Sequence, residues 1–369
     1  MILTSTNNLA SVYGPFNAVG IRGERVKRQT EFGLYADGAV PVPECDIRGA
    51  LFTSAPNARL SNDTPLSEIS EPVLFAGLAP QQFGHVILNS IGRLWAVQHT
   101  PSDTALLFLP RNQARLAYYP YLKPILEMLG LKNRVLLHEQ PMRYSTLYTA
   151  QDLFGERHGG TMKPQMRDWL AERLSPRDSI TKGRKLYFTR SRLGPQVGRY
   201  CNEDLIEELL CADGYEVVAP EQQSLSDQVA LMQDAEVLLF AESSALHLYG
   251  LVQRAHQRVG LIQRRRDLPP LIVNQLQGGP AEIRAIDAIS EIYWPPRRQD
   301  NVSIAKLDFD RLRHRLIEER FLSKASRWRT PGTAEVTMSL NEGLMPGTQL
   351  IAEEMRLQWL RVQRRRASR

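Results

Sequence analysis

The sequence AEVLLFAESSALHLYG, residues 235–250, joins an apolar run to a helical pattern through three polar residues. The run Glu236–Phe240 has the length and apolar character of a buried central strand. Ser243–Val252 has the apolar spacing of a helix. Because the strand leads directly into the helix, this stretch predicts one unit of a parallel sheet covered by helices.

The flanking residues repeat this alternation. Further strands are predicted at Lys185–Thr189, Tyr215–Val218 and Arg258–Ile262. A helix is predicted to begin at Asn202, a favoured N-cap residue, with Glu203 and Asp204 in the first turn, where carboxylates suit the helix dipole. A second helix is predicted to begin at Ser224, which with Asp227 resembles a capping box. These elements predict an α/β block.

Another α/β block precedes this one. Short strands are predicted at Val73–Ala76, Ala105–Leu109 and Arg134–His138. Helices are predicted around residues 83–97, with Ile87, Ile91, Leu94 and Trp95 on one face, and around residues 122–129. Residues 140–183 are polar and mixed, and predict a connection that contains a helix around residues 166–173. Two α/β blocks joined by a linker predict a bilobed protein.

Four segments follow from these patterns. Residues 1–70 form a β-rich N-terminal segment, residues 71–180 the first lobe and linker, and residues 181–300 the second lobe. Residues 301–369 have charged helical patterns at 303–325 and 350–364 and end in a basic tail. Asp308-Phe309-Asp310 is interpreted as a helix start rather than a metal site, because carboxylates favour that end of the dipole.

Composition narrows the class of protein. With 43% hydrophobic and 23% charged residues, the 369-residue chain is typical of a globular protein and not of a disordered one. Three scattered cysteines give no disulfide framework and no zinc pattern. No signal-peptide pattern and no apolar run of membrane-spanning length occur, so we expect a cytoplasmic location.

The formal charge of +6 comes with 38 arginines, five of which crowd residues 361–369. Such a tail is attracted to anionic lipid, so peripheral contact with the inner membrane is one expectation and a solvated helix end is the other. No nucleic-acid module accompanies the charge, and no nucleic-acid partner is expected. The sequence leaves the oligomeric state open.

Polar residues follow the strands of the second block. Ligands of open parallel sheets bind beyond the carboxyl ends of the strands. Those positions hold Arg190, Ser191 and Arg192; Glu221; Glu242, Ser243 and Ser244; and Arg264, Arg265 and Arg266. If the strands are parallel neighbours, these groups share one edge, and their cations and hydroxyls suit a phosphorylated or nucleotide ligand. No glycine-rich phosphate loop is present, which argues against P-loop or NAD chemistry.

For each of these positions, a purely structural role is the alternative to ligand binding. Arg190 suits a bidentate diphosphate contact, or a surface pair with Glu203 or Asp204. Ser243 and Ser244 suit an anion at a helix start, or a plain N-cap. Glu242 could bind a sugar hydroxyl or cap the helix, and His247 could be catalytic or merely packed. The tract Arg264–Arg266 is interpreted as a solvated turn.

The first block contributes His85, which with Gly84 begins the helix after the first strand. Imidazole exchanges protons near neutral pH, so His85 could deprotonate an acceptor hydroxyl. The alternative is a histidine that only caps its helix. Arg93, two turns on, could support the site or form a surface pair.

Several segments, in the same order along the chain and at consistent spacing, resemble family 61 glycosyltransferases. They are Lys185–Ser191, Arg199–Leu205, Gly214–Val218, Pro220-Glu221, Ser224-Leu225, Gln228, Ala235–Val237 and Glu242–His247, with Gly84-His85 and Arg93–Trp95 in the first block. The resemblance covers about residues 72–253 and is densest at 185–253. Bacterial members of that family are usually known as capsular polysaccharide biosynthesis proteins.

The resemblance implies a GT-B architecture, with two Rossmann-like lobes around a central cleft. It implies inverting, metal-independent transfer from a nucleotide-sugar to a glycan acceptor, with no cofactor besides that donor substrate. Arg190 and residues 242–247 would contact the donor, and His85 would face the acceptor. Ser191, Arg199, Asn202 and Glu221 complete the expected donor-binding set.

Two departures from the family pattern affect which residue could act as the catalytic base that deprotonates the acceptor hydroxyl. Asn89 stands where the family often has an acidic residue one turn after Gly-His, and Ala241–Ser243 replaces a Pro-His-Gly segment. His85, Glu242 and His247 are therefore all candidate bases. The leading hypothesis is an inverting glycosyltransferase of bacterial surface-polysaccharide synthesis. The alternative is a catalytically inactive bilobed binding or scaffold subunit of a polysaccharide-assembly complex.

Overall fold

The computed structural model describes residues 2–3, 10–26, 29–37, 40–46, 52–54, 66–174, 181–295 and 302–367. The chain divides into two units. Unit 1 comprises Met1–Pro176 with Gly250–Val252 and Pro270–Gly278, and unit 2 comprises Arg177–Tyr249, Gln253–Pro269 and Gly279–Arg369.

Residues up to 176 form mainly one mixed sheet with helices. The strands are β1 Ile2–Leu3, β2 Val12–Val26, β3 Gln29–Ala36, β4 Val40–Pro41, β5 Phe52–Ser54, β6 Ser67–Ile69, β7 Val73–Ala79, β8 Ala105–Pro110, β9 Val135–Leu136 and β10 Met142–Ala150. The helices are α1 Phe83–Ser90, α2 Leu122–Met128 and α3 Pro164–Leu174, with 3₁₀ turns at Leu94–His99, Leu116–Tyr118 and Glu156–His158.

The main path of this sheet runs β4-β3-β2-β10-β7-β8-β9. Strands β10, β7, β8 and β9 are parallel, as the alternation in the first block predicts. The antiparallel strands β2 and β3 extend it, so the predicted β-rich segment belongs to the same sheet. Strand β10 was not predicted, because Met142–Ala150 is only partly buried and its sequence, MRYSTLYTA, carries polar residues throughout.

The rest of the chain contains a parallel sheet and a smaller mixed sheet. The strands are β11 Thr181–Phe188, β12 Arg199–Tyr200, β13 Tyr215–Val218, β14 Ala235–Ala241, β15 Arg258–Ile262, β16 Glu282–Ile286, β17 Ile289–Trp294, β18 Ile304–Leu307 and β19 Ile351–Ala352. The helices are α4 Glu203–Ala212, α5 Leu225–Asp234, α6 Ala245–Tyr249, α7 Pro270–Gln277, α8 Phe309–Glu318, α9 Thr333–Asn341 and α10 Glu353–Ala367, with 3₁₀ turns at Ser191–Leu193 and Pro220–Gln222. Helix α7 belongs to unit 1.

The parallel sheet has the order β13-β11-β14-β15-β16. Strand β14 is central and almost wholly buried, as its apolar sequence predicts. Phe188 of β11 and Phe240 of β14 are register partners whose rings stack at 4.6 Å between centroids. Helix α4 packs beside β13 with Leu205, Ile206 and Leu210 buried. The predicted strands at 215–218 and 258–262 are confirmed with the same bounds.

Two helix starts follow from side-chain capping. The Ser224 hydroxyl accepts a hydrogen bond from the Asp227 N–H at 3.1 Å, and the Asp308 carboxylate accepts one from the Arg311 N–H at 2.9 Å. Both starts are as predicted, so Asp308 is the N-cap of α8. Asn202 precedes α4, but its side chain does not cap that helix.

Other predicted helices differ in extent. The helix predicted at 83–97 ends at Ser90 and resumes as a 3₁₀ turn at Leu94, so Arg93 lies beyond the helix. A Cβ on Gly92 would lie 2.5 Å from the Phe154 carbonyl oxygen, so the chain needs glycine at this break. The helix predicted at 243–252 spans only Ala245–Tyr249. The pattern at 303–325 begins with strand β18 before α8.

At the C-terminus, helix α9 was not predicted, and the last helix runs over Glu353–Ala367 rather than 350–364. In the part of the chain that the structure covers, no helix combines the length and apolar character needed to cross a membrane.

Candidate functional site

The parallel sheet of unit 2 places the polar strand ends on one edge, as predicted from the sequence. Strands β13, β11, β14 and β15 are parallel neighbours in that order. The chain passes from β11 to β13 on one side and then to β14 on the other. The order therefore reverses between β11 and β14, the position at which sheets of this kind bind ligands. Arg190 and Glu242 follow these two strands.

Arg190 is fixed by contacts on both sides of this switch point. Its backbone N–H donates to Glu203 Oε1 at 2.9 Å, and its Nη1 donates to the Glu242 carbonyl oxygen. The residue is only 8% exposed. Its Nε is buried and makes no hydrogen bond to any described residue. The sequence alternative, a surface pair with Glu203 or Asp204, is wrong, because the guanidinium is buried and its Nη1 donates to the main chain of residue 242.

The carboxylate of Glu242 joins the end of β14 to the residues after β15. It is 1% exposed and accepts hydrogen bonds from the backbone N–H groups of Arg264 and Arg265 at 2.9 and 3.2 Å. The Arg265 guanidinium forms an ion pair with its other oxygen. Both oxygens therefore already accept hydrogen bonds from this segment, and the side chain does not cap helix α6.

Arg264 is the main residue of this edge that the sequence missed. The prediction that Arg264–Arg266 is a solvated turn is wrong for Arg264, which is 3% exposed and donates to the Ser303 hydroxyl and carbonyl at 2.6 and 3.1 Å. Its pKa is lowered to about 10, because burial disfavours the charged guanidinium and the Arg190 cation repels it. Only Arg266 of the tract is exposed. Three consecutive arginines give no signal as to which one turns inward.

A second group of hydrogen bonds joins the C-terminal end of β11 to Glu203 and Glu207 of helix α4. Glu203 Oε1 accepts hydrogen bonds from the Tyr187 and Thr189 hydroxyls at 3.1 and 2.9 Å, besides the Arg190 N–H. Burial raises the pKa of the Glu203 carboxyl above its usual value. The Ser191 hydroxyl donates to Glu207, which is also buried. These bonds fix the loop that carries Arg190.

Two members of the expected donor-binding set contact helix α9 instead of the sheet edge. Arg199 Nη2 donates to the carbonyl oxygens of Ser339, Leu340 and Glu342 at 2.9, 3.3 and 2.9 Å, where a cation suits the helix C-terminus. Asn202 Nδ2 donates to the Glu335 carbonyl at 3.1 Å. Ser191, Arg199 and Asn202 line an open pocket of about 390 Å³, together with α9 residues such as Met338.

The remaining candidates of unit 2 lie around helix α6 and on the 3₁₀ turn after the edge strand β13. The Ser243 hydroxyl accepts from the Ala245 N–H at 3.3 Å, and the Ser244 carbonyl accepts from the His247 N–H at 3.0 Å. Ser244 is exposed, whereas His247 is buried. Glu221 is exposed on the 3₁₀ turn after β13.

In unit 1, His85 lies in the first turn of α1, as predicted. Its side chain is about one-third exposed, and its Nδ1 lies 3.9 Å from Glu156 Oε2. Asn89, one turn later, donates from Nδ2 to the same Glu156 oxygen at 3.1 Å and to the His85 carbonyl at 3.0 Å. Glu156 was missed, because the loop that carries it is 71 residues away and has no pattern that points to α1.

Arg93 supports this region rather than forming a surface pair. Its Nη1 forms an ion pair with Asp152 at 2.8 Å, and its Nη2 donates to the Glu44 carbonyl at 2.8 Å. The residue is buried, with its guanidinium 5.0 Å from the Phe75 ring centroid. It therefore ties the chain after α1 to the loop that follows β10.

Comparison with known proteins assigns a family to the region that holds these residues. Residues 83–256, which begin at α1 and extend past α6, match the family model described as Glycosyltransferase 61. No curated protein matches the chain. The matched region contains both His85 and the Arg190–Glu242 switch point, and the resemblance inferred from the sequence segments is confirmed. Residues 83–256 of this chain are therefore similar to glycosyltransferase family 61.

Proposed function

We propose that this family 61 glycosyltransferase is an inverting enzyme of the GT-B class. It moves a sugar from a nucleotide-sugar to a glycan acceptor in the synthesis of a bacterial capsular or other surface polysaccharide. The observation that carries the proposal is a pair of buried arginines, Arg190 and Arg264, on the two sides of Glu242 at the sheet's switch point. Buried cations without a full set of partners favour an anionic ligand.

The donor's diphosphate is the anion that this edge fits. Guanidinium groups match phosphate oxygens in charge and in planar geometry. The Nε atoms of Arg190 and Arg264 are both buried and make no hydrogen bond to the part of the chain that the structure describes. Burial, and after it the repulsion from Arg190, lowers the pKa of Arg264, and a bound diphosphate would stabilise the charged guanidinium against both. The two cations would then stabilise the negative charge that develops on the leaving group, without a metal ion.

The proposed base is His85. The acceptor hydroxyl oxygen forms a bond to the anomeric carbon while the bond from that carbon to the diphosphate oxygen breaks. The nucleoside diphosphate leaves with the electron pair, and the hydroxyl proton passes to the imidazole. One displacement inverts the anomeric configuration. Glu242 is the weaker candidate base, because its two oxygens already accept hydrogen bonds from the Arg264–Arg265 segment.

The basic C-terminal segment bears on where in the cell the enzyme acts. Helix α10 ends in an arginine-rich sequence, and clusters of this kind are attracted to anionic lipid. We therefore propose that the enzyme acts in the cytoplasm, at the surface of the inner membrane.

The test combines nucleotide binding with transfer. Calorimetric titration of the full chain with UDP, GDP and CMP identifies the nucleotide, and a panel of the corresponding sugar donors with EDTA present then tests metal-independent transfer. Arg190→Ala is expected to weaken nucleotide binding at least tenfold, because charge-assisted hydrogen bonds contribute about 1.5–3 kcal/mol each. Arg311→Ala, an exposed arginine of α8, is the matched control and should bind like the unmodified chain.

The outcomes separate the candidate functions. Transfer with inverted anomeric configuration, seen by NMR of the product, supports the proposal. A retained configuration or a requirement for added metal contradicts it. Nucleotide binding with no donor hydrolysis or transfer across the panel supports the inactive binding or scaffold subunit instead.

A further inference from the structure

The carboxylate of Glu156 lies beside the first turn of α1, although the two are far apart in sequence. Glu156 Oε2 is 3.9 Å from His85 Nδ1 and 3.1 Å from Asn89 Nδ2. The Nδ1 atom is buried and makes no hydrogen bond to the described residues, while the His85 side chain as a whole is about one-third exposed. The carboxylate therefore faces the Nδ1 side of the ring.

Several contacts outside the pair fix the position of Glu156. The preceding residue, Gly155, passes so close to α1 that a Cβ there would lie 1.9 Å from the Leu88 carbonyl oxygen. The Leu153 N–H donates to the Gly92 carbonyl at 3.0 Å, and the Arg93–Asp152 ion pair joins the same two segments. The chain on the N-terminal side of Glu156 is thus attached to α1 and the turn after it at several points, and Glu156 is positioned by the fold rather than by one surface contact.

We infer that Glu156 is the carboxylate partner of His85 and acts as a positioning residue for it. This inference rests on the proposed function, in which His85 is the base. Asn89, one turn after His85 on α1, donates a hydrogen bond from Nδ2 to Glu156 Oε2 at 3.1 Å. The Asn89 amide therefore orients the carboxylate that faces His85 from the loop.

The chemistry follows from the two ring nitrogens. A carboxylate opposite Nδ1 favours the tautomer with the proton on Nδ1, which leaves Nε2 to accept the proton of the acceptor hydroxyl. When Nε2 takes that proton the ring becomes a cation, and Glu156 stabilises it. The 3.9 Å separation is longer than a hydrogen bond, and such catalytic contacts commonly tighten when substrate binds.

Kinetics with matched variants test this role. Glu156→Gln keeps the shape and an acceptor for Asn89, so donor KM and nucleotide affinity should be unchanged while kcat falls roughly 10- to 100-fold. The exchange variant, Asn89→Asp with Glu156→Gln, returns a carboxylate to the neighbourhood of His85 and should recover most of kcat. Glu127→Gln, an exposed glutamate of α2, is the control and should leave kcat unchanged. Full kcat in Glu156→Gln, or no recovery in the exchange variant, overturns the inference.

A second measurement does not depend on turnover and separates this inference from the proposed function. A double-mutant cycle of His85→Gln and Glu156→Gln on the unfolding equilibrium is measured by urea denaturation. The charged groups nearby are Asp152, Arg157 and His158 on the loop and Arg93 after α1, and both single variants retain them. The two substitutions should be coupled by more than about threefold in the unfolding constant, because each removes one partner of the same contact. Additive effects of the two substitutions contradict the inference even in a chain that transfers no sugar.

Discussion

The Tyr200 hydroxyl accepts a hydrogen bond from the backbone N–H of Glu242 at 2.9 Å. The same hydroxyl donates to the Ile262 carbonyl oxygen at 2.5 Å. One phenol thus joins the ends of β14 and β15, the strands that lead to Glu242 and Arg264. Tyr200 is buried, and burial raises the pKa of its hydroxyl well above the usual value, so it remains a neutral donor.

Tyr200→Phe should therefore destabilise the chain and loosen the sheet edge. The change leaves a buried N–H and a buried carbonyl without their partner, at a cost of about 1–3 kcal/mol in the free energy of unfolding. Urea denaturation measures the loss, and nucleotide titration should show weaker binding because the backbone N–H of residue 242 loses one of the contacts that hold this residue in place. Tyr118→Phe, at an exposed tyrosine, should change neither quantity. An unaltered free energy of unfolding in Tyr200→Phe would show that the two hydrogen bonds of the Tyr200 hydroxyl contribute nothing to stability.

Arg199→Met tests whether Arg199 stabilises helix α9 rather than binding the donor, the role that the family resemblance implies. Its guanidinium donates to the last carbonyl groups of α9, so we expect a stability loss of about 1–3 kcal/mol with unchanged nucleotide affinity. Arg311→Met is the exposed control. A tenfold or greater loss of affinity at full stability would instead return Arg199 to the donor site.

The parallel sheet of unit 2 was predictable because most of its strands are short, apolar and followed by a polar or glycine break. The strand-end rule then located Arg190 and Glu242 without knowledge of the pairing. The rule could not say which arginine of 264–266 is buried, since that depends on Ser303, a residue from a distant segment. Periodicity also could not show that Gly92 interrupts the first helix, because the apolar positions on both sides remain buried.

The first unit was harder to predict for a similar reason. Strand β10 pairs with β2 on one side and β7 on the other, but several of its side chains are only half-buried. Its sequence can therefore be polar, and it lacks the apolar run that predicts an inner strand. The proximity of Glu156 to His85 depends on the path of the loop after β10. Gly155 allows the loop to pass close to α1, and sequence pattern alone does not connect the two.

Glu203→Gln should change how stability depends on pH. Burial raises the pKa of this carboxyl above the unfolded value of 4.5, so the native state binds its proton more tightly than the unfolded state does. The stabilising contribution of the protonated form is complete below the unfolded pKa and is lost as pH rises through the folded pKa. The glutamine variant cannot ionise and should gain stability relative to the unmodified chain across that range. Urea denaturation from the unfolded pKa up to neutral pH measures this difference. Glu208→Gln, on the exposed side of the same helix, should show a flat difference.

Gly155→Ala should disrupt the loop that carries Glu156. The residue has a φ of +122°, which L-residues rarely adopt, and the added Cβ would overlap the Leu88 carbonyl oxygen. We expect a loss of more than about 2 kcal/mol in the free energy of unfolding, together with reduced kcat. Gly130→Ala is the matched control, because Gly130 also has a positive φ, +69°, but has open space around its Cβ position. It should cost about 1 kcal/mol and leave kcat intact. Equal losses in the two variants would mean that backbone conformation alone, and not the close approach to α1, makes glycine necessary at residue 155.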